Sequence, residues 1–422
     1  MSESVINCRR RIDMRIPWAV ISLLFFVSAC SGKKNELKET GTLDSYVLVV
    51  SFDGFRWDYS DLYETPNFDD MALHGVKAAH LIPSFPTKTF PNHYTLATGL
   101  YPDHHGIINN SFYVPELGKI YRIGDRSMVT NPDAYFGEPI WVTAEKQGVK
   151  SASYFWVGSE TAIMGVSPSY WYTYNGDVPY QDRVNEAIEW LTMPLDKRPG
   201  LVFLYFDEPD GIGHYAGPEH EETARVIESL DSLLGYLRSE ISKLEYADRV
   251  NLIVLSDHGM GSISSDKYVN LSTYVKENWA VSVIGGNPVY LIEPEEGCAD
   301  SITFALNNAE GVTAWQKEDI PARLHYGSSP RFPGIVVVAD SLWSIGTKAD
   351  PSGYSGGAHG YDNAFSDMNT IFYAEGPAFK ENYSAAPFSN VEVYGIIAHI
   401  LGLDPAATDG NIENISHIFK AE

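Results

Sequence analysis

Three apolar stretches of this chain run directly into acid. "YVLVVSFDG" (46–54) carries Asp53, "LVFLYFDEPD" (201–210) carries Asp207 and Asp210, and "VNLIVLSDHG" (250–259) carries Asp257. A single carboxylate after a strand is an ordinary turn former or helix cap. Three of them, two with a histidine nearby, suggest a shared ligand. In "DEPDGIGH" Asp210 and His214 are four residues apart, close enough to hold one ion from a single turn. "SDHG" sets His258 beside Asp257, and "GGAHGYDN" places His359 among Gly356, Gly357 and Gly360, where the backbone can approach closely. Carboxylates at these three strand ends (Asp207 or Asp210 at the second) together with three imidazoles form a nitrogen and oxygen donor set that suits zinc and would also accept manganese or iron. Six protein ligands are too many for one catalytic zinc but suit two ions, each keeping a position for substrate.

A second stretch, "FPTKTFPNHY" (85–94), supplies hydroxyls. Pro91 suits a first helical turn, which places Thr89 and Phe90 at or just before a helix N-cap. A threonine there can simply accept a backbone N–H. It also lies at the positive end of a helix dipole, where an alkoxide is favoured, and a metal would activate it without a histidine base. With no Ser-His-Asp order and no reactive cysteine elsewhere, Thr89 is the candidate nucleophile. Of the 12 histidines, His93, His104 and His105 lie near it in sequence and fit a supporting role or plain packing equally well.

The elements that must position these groups alternate along the chain. The three stretches read as strands buried on both faces of a parallel sheet. Between the last two, Val226, Leu230, Leu233, Leu237, Ile241 and Leu244 recur at helical spacing. The βαβ rhythm predicts an α/β fold with a doubly wound sheet, helices on both faces and ligands at the carboxyl ends of the strands. The rhythm breaks from Asn287 to about Ile345, where "NPVYLIEP", "SITFALNNA", "GVTAWQK" and "GIVVVAD" read as strand, helix, strand and strand. The expected organisation is a main domain of residues 45–285 and 346–422, with an inserted α+β cap at 286–345.

Composition narrows the function. The formal charge of −25 argues against duplex nucleic acid as a partner, and an anionic substrate would need metal ions to overcome that field. "RRRIDMR" followed by "IPWAVISLLFFVSAC" reads as a basic and then an apolar leader segment, with Val27-Ser28-Ala29-Cys30 in the form of a bacterial lipobox. Residues 1–29 are thus expected to be a lipoprotein signal peptide, with Met1 or Met14 as the start. Cys30 would be lipidated, residues 30–44 would form a polar tether, and the protein would sit at the cell envelope, periplasmic or surface-exposed. Cys298 is then left without a disulfide partner.

Taken together, "SFDGFRWDY", "PTKTFPNHYTLATGLYPDHHGI", "FWVGSE", "EPDGIGH", "SDHGM" and "GAHGYDN" closely resemble the nucleotide pyrophosphatase/phosphodiesterase family of the alkaline phosphatase superfamily. The resemblance extends from about residue 45 to "NVEVYGIIAHILGLDPAATDG". It implies an alkaline-phosphatase-like fold with a two-zinc site, in which Asp210, His214 and His359 hold one ion. Asp53, Asp257, His258 and the nucleophile Thr89 hold the other. It also implies that Asn110 donates to a phosphate oxygen and that Phe90 and Tyr174 sandwich a base. The expected reaction is hydrolysis of phosphodiester or pyrophosphate bonds in nucleotides, through a phosphothreonine, releasing nucleoside 5'-monophosphates. "KTFPNH" lacks the cysteine and arginine a sulfatase would need. One rival reading is a phosphomonoesterase with similar metals, though the motif around Thr89 favours diesters. The others are a phosphodiesterase of choline-containing esters, whose cation an aromatic cage would also bind, and a lipid-anchored binding protein without turnover.

Overall fold

A computed structural model of the protein describes residues 45–421. The expected leader, Cys30 and the tether lie outside the described residues. Eight strands form the main sheet, in the order Tyr383–Ala385, Gly75–Ala78, Phe372–Glu375, Val250–Leu255, Tyr46–Phe52, Leu201–Phe206, Ser151–Tyr154 and Tyr170–Tyr172. The five strands from Val250–Leu255 to Tyr170–Tyr172 are parallel to one another. Phe372–Glu375 runs antiparallel to both of its neighbours. The sheet is therefore mostly parallel, as the apolar runs predict.

Alternation along the central strand separates two cores. Val47 and Val49 pack into one, with residues of the helices Thr89–Thr98, Ile140–Lys146 and Val393–Leu401. Leu48, Val50 and Phe52 pack into the other, with residues of Pro66–His74, Tyr180–Thr192 and Glu221–Ile241. Helices thus cover both faces, which is why these strands can be apolar at every position. The long helix buries Ile227, Leu230, Leu234, Leu237 and Ile241. Val226 and Leu233, expected in the seam, sit on its shoulder, and Leu244 lies past its end.

A separate antiparallel sheet is built from Ala280–Gly286, Val289–Pro294, Ile335–Ala339 and Val312–Gln316, in that order. The helix Ala299–Asn307 covers it through Ile302 and Leu306. Its first strand begins before residue 286. That strand escapes a sequence reading because Val281 is exposed and the segment ends in two glycines. The core beneath the sheet also takes in Val269, Leu271, Tyr361 and Met368, so the packed unit is wider than 286–345. Among the described residues, no helix is long and apolar enough to cross a membrane.

Candidate active site

Strand register brings the three acidic ends level. Phe52 pairs with Phe206, and Ser51 pairs with Leu255, so Asp53, Asp207 and Asp257 leave the same edge of the sheet. Gly54, at φ +70°, turns the chain away, and its N–H donates to Asp257 Oδ1 at 3.2 Å. A Cβ there would meet Asp210 at 3.0 Å, so glycine lets two strand-end loops touch. Between the two candidates after the second strand, the structure separates the roles. Asp207 accepts from Arg183 at 3.1 Å, whereas Asp210 opens the helix Asp210–Ala216 and directs Oδ1 toward His214 and His359.

The histidines share one device. His214 Nδ1 lies 2.8 Å from the Gly357 carbonyl, His258 Nδ1 2.9 Å from that of Gly259, and His359 Nδ1 2.9 Å from that of Thr87. A carbonyl only accepts, so each Nδ1 carries a proton, and in a neutral ring the Nε2 then presents a lone pair. Those lone pairs face carboxylates. His258 Nε2 lies 3.2 Å from Asp53 Oδ1 and 3.1 Å from Asp257 Oδ2. Asp210 Oδ1 lies 3.4 Å from His214 Nε2 and 3.6 Å from His359 Nε2. The same three oxygens, Asp53 Oδ1, Asp210 Oδ1 and Asp257 Oδ2, are buried without a hydrogen-bond donor.

Lone pairs opposed to buried anionic oxygens repel unless cations lie between them. The electrostatics of the buried groups agree. Burial, then Asp257 and Asp210, push the Asp53 carboxyl well above the usual range, so it does not ionise readily without a nearby cation. Burial, then His258 and Lys88, hold His359 well below its ordinary value, which leaves its ring neutral and able to ligate. Nδ1 bonded to a carbonyl with Nε2 free is the usual support of a metal-bound histidine. The donor set fits divalent metal ions.

Thr89 is the first residue of the helix Thr89–Thr98, one step inside the N-cap position, which Lys88 occupies in extended conformation. Its hydroxyl caps nothing and instead donates to His258 Nε2 at 3.1 Å. Thr87 is different: its hydroxyl donates to the Tyr361 carbonyl at 3.0 Å and accepts from Gly360 N at 2.9 Å, tying down the His359 loop. His93 lies within reach of Asp53 and Asp257, yet both of its ring nitrogens are engaged. Nδ1 donates to the Thr89 carbonyl at 3.0 Å, and Nε2 pairs with the Ser51 hydroxyl at 2.9 Å. It fastens the turn that carries Thr89.

Asn110 Oδ1 accepts the Phe90 N–H at 3.0 Å. Because that N–H can only donate, the amide orientation is fixed and its NH₂ remains free to donate. Phe90 and Tyr174 line one cavity of about 480 Å³ with Phe155, Trp156 and Tyr205, and Asp53, Thr89 and Asp210 also contribute to its wall. Tyr174 packs edge-on against Phe155 at 5.2 Å, while Phe90 packs against Tyr121 at 6.3 Å. The two rings thus share a cavity while each is braced by a different neighbour.

Sequence reasoning missed two supports. Tyr205 OH donates to Asp53 Oδ2 at 2.5 Å. Its signal was a lone hydroxyl in an otherwise apolar strand. Glu160, the last residue of "FWVGSE", pairs with Arg126 and accepts the Tyr174 N–H at 3.2 Å. No local pattern links segments 34 residues apart.

A family model described as type I phosphodiesterase / nucleotide pyrophosphatase matches residues 47–362. Human ectonucleotide pyrophosphatase/phosphodiesterase family member 1 is 36% identical over 387 residues, 88% of this chain and 42% of that protein. Human family member 5 is 36% identical over 378 residues, 89% of this chain and 78% of that protein. The chain thus spans less than half the length of some relatives it matches. Among solved structures, murine ectonucleotide pyrophosphatase/phosphodiesterase 5, as an inactive threonine-to-alanine variant in complex with AMP, superposes with a TM-score of 0.84. It is 37% identical, and the match covers 89% of this chain and all of that one.

Proposed function

The chain belongs to the type I phosphodiesterase/nucleotide pyrophosphatase family, and from that premise we propose that it hydrolyses phosphodiester or phosphoanhydride bonds of nucleotides and releases nucleoside 5'-monophosphates. One observation carries the reading: the Thr89 hydroxyl, capping nothing at a helix start, faces His258 Nε2 and donor-less carboxylates at the mouth of an aromatic cavity. The murine neighbour, inactive as a threonine variant and holding AMP, supports both a required hydroxyl and a nucleotide ligand.

Asp210, His214 and His359 would hold one zinc ion, and Asp53, Asp257, His258 and Thr89 the other. Such ions would supply Lewis acidity, favouring the threonine alkoxide and neutralising phosphoryl oxygens. The chain's own residues do the rest. His93 holds the carbonyl of Thr89, so the hydroxyl is aimed before substrate arrives. Thr89 Oγ1 attacks phosphorus as its proton passes to solvent, and the bond to the leaving oxygen breaks. That group departs as its anion or takes up a solvent proton, and a phosphothreonine remains. The Asn110 NH₂, oriented by Phe90 N–H, donates to a phosphoryl oxygen as charge builds there. Water then cleaves the phosphothreonine, a proton returns to Oγ1, and the monophosphate departs.

Phe90 and Tyr174 would stack on the base, each contact worth about 1–3 kcal/mol. The acids further along the cavity argue against a choline headgroup. Glu160 is paired with Arg126 and Asp207 with Arg183, so neither is free for a quaternary ammonium. The test compares a nitrophenyl ester of a nucleotide with a base-free nitrophenyl phosphodiester. Phe90→Ala and Tyr174→Ala should raise KM for the first and leave the second nearly unchanged. Equal losses on both, or a preference for phosphocholine esters, would overturn the assignment. We also place the protein at the bacterial envelope through lipidated Cys30, on the lipobox pattern alone. Cys30→Ser should release it from membranes, and unchanged membrane association would refute the anchor.

A further inference from the structure

One buried cation has no part in the chemistry above. Arg183 projects from the helix Tyr180–Thr192 into the core on one face of the main sheet, and its side chain is fully buried. Its guanidinium lies among three rings, 4.7 Å from Tyr180, 5.1 Å from Phe155 and 5.7 Å from Phe206. Taking a charge out of water is costly, and the carboxylate that pairs with it, Asp207, is 35% exposed. An apolar side chain would fill the same space without that cost. Packing alone does not account for an arginine here.

What the guanidinium does is gather four acceptors from two segments. Nη1 donates to the Tyr205 carbonyl at 2.9 Å and to Asp207 Oδ1 at 3.1 Å, at the end of the strand Leu201–Phe206. Nε donates to the Val178 carbonyl at 3.2 Å and Nη2 to that of Gly176 at 3.4 Å, both in the loop that follows Tyr174. That loop folds back on the ring: a Cβ on Gly176 would stand 3.2 Å from the Tyr174 hydroxyl. The brace of that ring, Phe155, lies beneath Arg183 and sits at φ +76°, a conformation rare for a bulky residue. Arg183 thus joins the turn behind Tyr174, the ring beside it and the strand end below.

Tyr174 is itself exposed, so little of its own surface fixes it. We propose that Arg183 is a positioning residue for base recognition: its planar fork holds the Tyr174 loop to the strand end, so the aromatic cavity keeps its shape before a nucleobase enters. A ring ordered in advance loses less freedom when a ligand binds, and binding is stronger by that difference. Lysine would carry the same charge, but its point-like ammonium cannot span acceptors on two segments as a fork does. This rests on the nucleotide reading above and adds to it what makes the binding wall rigid.

The experiment measures kcat and KM of the metal-loaded enzyme for the nitrophenyl ester of AMP and for a base-free nitrophenyl phosphodiester. Arg183→Met keeps a long side chain and removes every donor. KM for the nucleotide ester should rise by about tenfold, within what loss of one stacked contact allows, while kcat holds. Both parameters for the base-free ester should stay within about twofold, which also reports that the variant is folded. Arg183→Lys keeps the charge opposite Asp207 and should still raise KM by about threefold or more. The double variant Arg183→Met with Tyr174→Ala should have a KM no higher than that of Tyr174→Ala alone, because one residue acts through the other. Additive losses, an unchanged KM in Arg183→Met, a loss shared equally by both esters, or full recovery with lysine would overturn the positioning role. Failure of the nucleotide reading looks different. Tyr174→Ala would then cost both esters equally, and with no base site to shape, the role of Arg183 falls as well.

Discussion

The strand-end cluster and the walls around it are built by opposite rules. The cluster comes from residues within a few positions of three level strand ends, joined by one loop that carries His359. Each histidine is held by a backbone carbonyl. The walls come from segments far apart in sequence: Phe90, the 122–127 turn, the 155–160 loop and Tyr174. They are joined by side-chain contacts such as Arg126 with Glu160. On the proposed function, chemistry is anchored to the sheet, while recognition sits on connections that can change without disturbing it.

The largest test of this contrast is within one short stretch. Thr89→Ala removes the attacking oxygen, and phosphodiester turnover should fall by several orders of magnitude with the fold intact. Thr87→Ala removes a buried hydroxyl that donates and accepts, so it should cost about 1–3 kcal/mol of stability in a denaturant titration. Turnover should fall far less, since the Thr87 hydroxyl touches only the loop beneath His359 and the carbonyl that holds His359 remains. If the two variants lose activity alike, Thr89 acts as scaffolding. Chelation should abolish activity, zinc should restore it, and metal analysis should find about two ions per chain. Removing the ions should also lower the melting temperature, because Asp53, Asp210 and Asp257 then face one another without cations. Full activity without metal would break the comparison at its root.

Much of the cluster was legible in the sequence, because acid after an apolar run marks a strand end and the sheet makes those ends converge. Strand ends alone left Asp207 and Asp210 both open, and the spacing to His214 with the family resemblance favoured Asp210. The physical reason lies in Arg183, a buried side chain from the helix Tyr180–Thr192 that reaches back to Asp207. The place of Thr89 was legible only to within a residue. Pro91 signals a helix start, yet whether the hydroxyl caps or points at His258 is set by contact with a loop 169 positions away. The strand Ala280–Gly286 was missed because its pairing partner, and not its own composition, makes it a strand.

A smaller effect is expected at Tyr205, where the cluster meets the aromatic wall. Burial and then Asp53 hold its hydroxyl in the protonated form, so it is a permanent donor to the Asp53 carboxylate. Tyr205→Phe keeps the ring in the cavity and removes that donor. Zinc affinity should weaken by about ten- to a hundredfold, the usual cost of losing a hydrogen bond to a ligating carboxylate. At saturating zinc, KM for a nucleotide ester should change little. A change in KM with zinc affinity untouched would assign Tyr205 to the wall and not to the cluster.

The smallest effect is expected at Glu160, and it probes the walls alone. Glu160 accepts the Tyr174 N–H and pairs with Arg126, so one carboxylate ties the Tyr174 segment to the 122–127 turn. Its side chain is nearly buried, but Arg126 remains 45% exposed, which caps the value of the ion pair at about 1 kcal/mol. Glu160→Gln keeps an acceptor for Tyr174 and loses the charge. KM for nucleotide esters should then rise by about two- to fivefold. The value of kcat, and turnover of a base-free diester, should hold, since no group that touches phosphorus has moved. Glu160→Ala removes the acceptor as well, and the rise in KM should be larger while kcat again holds. A fall in kcat in either variant would mean that the walls position Thr89 as well as the base, and the separation of chemistry from recognition would not describe this site.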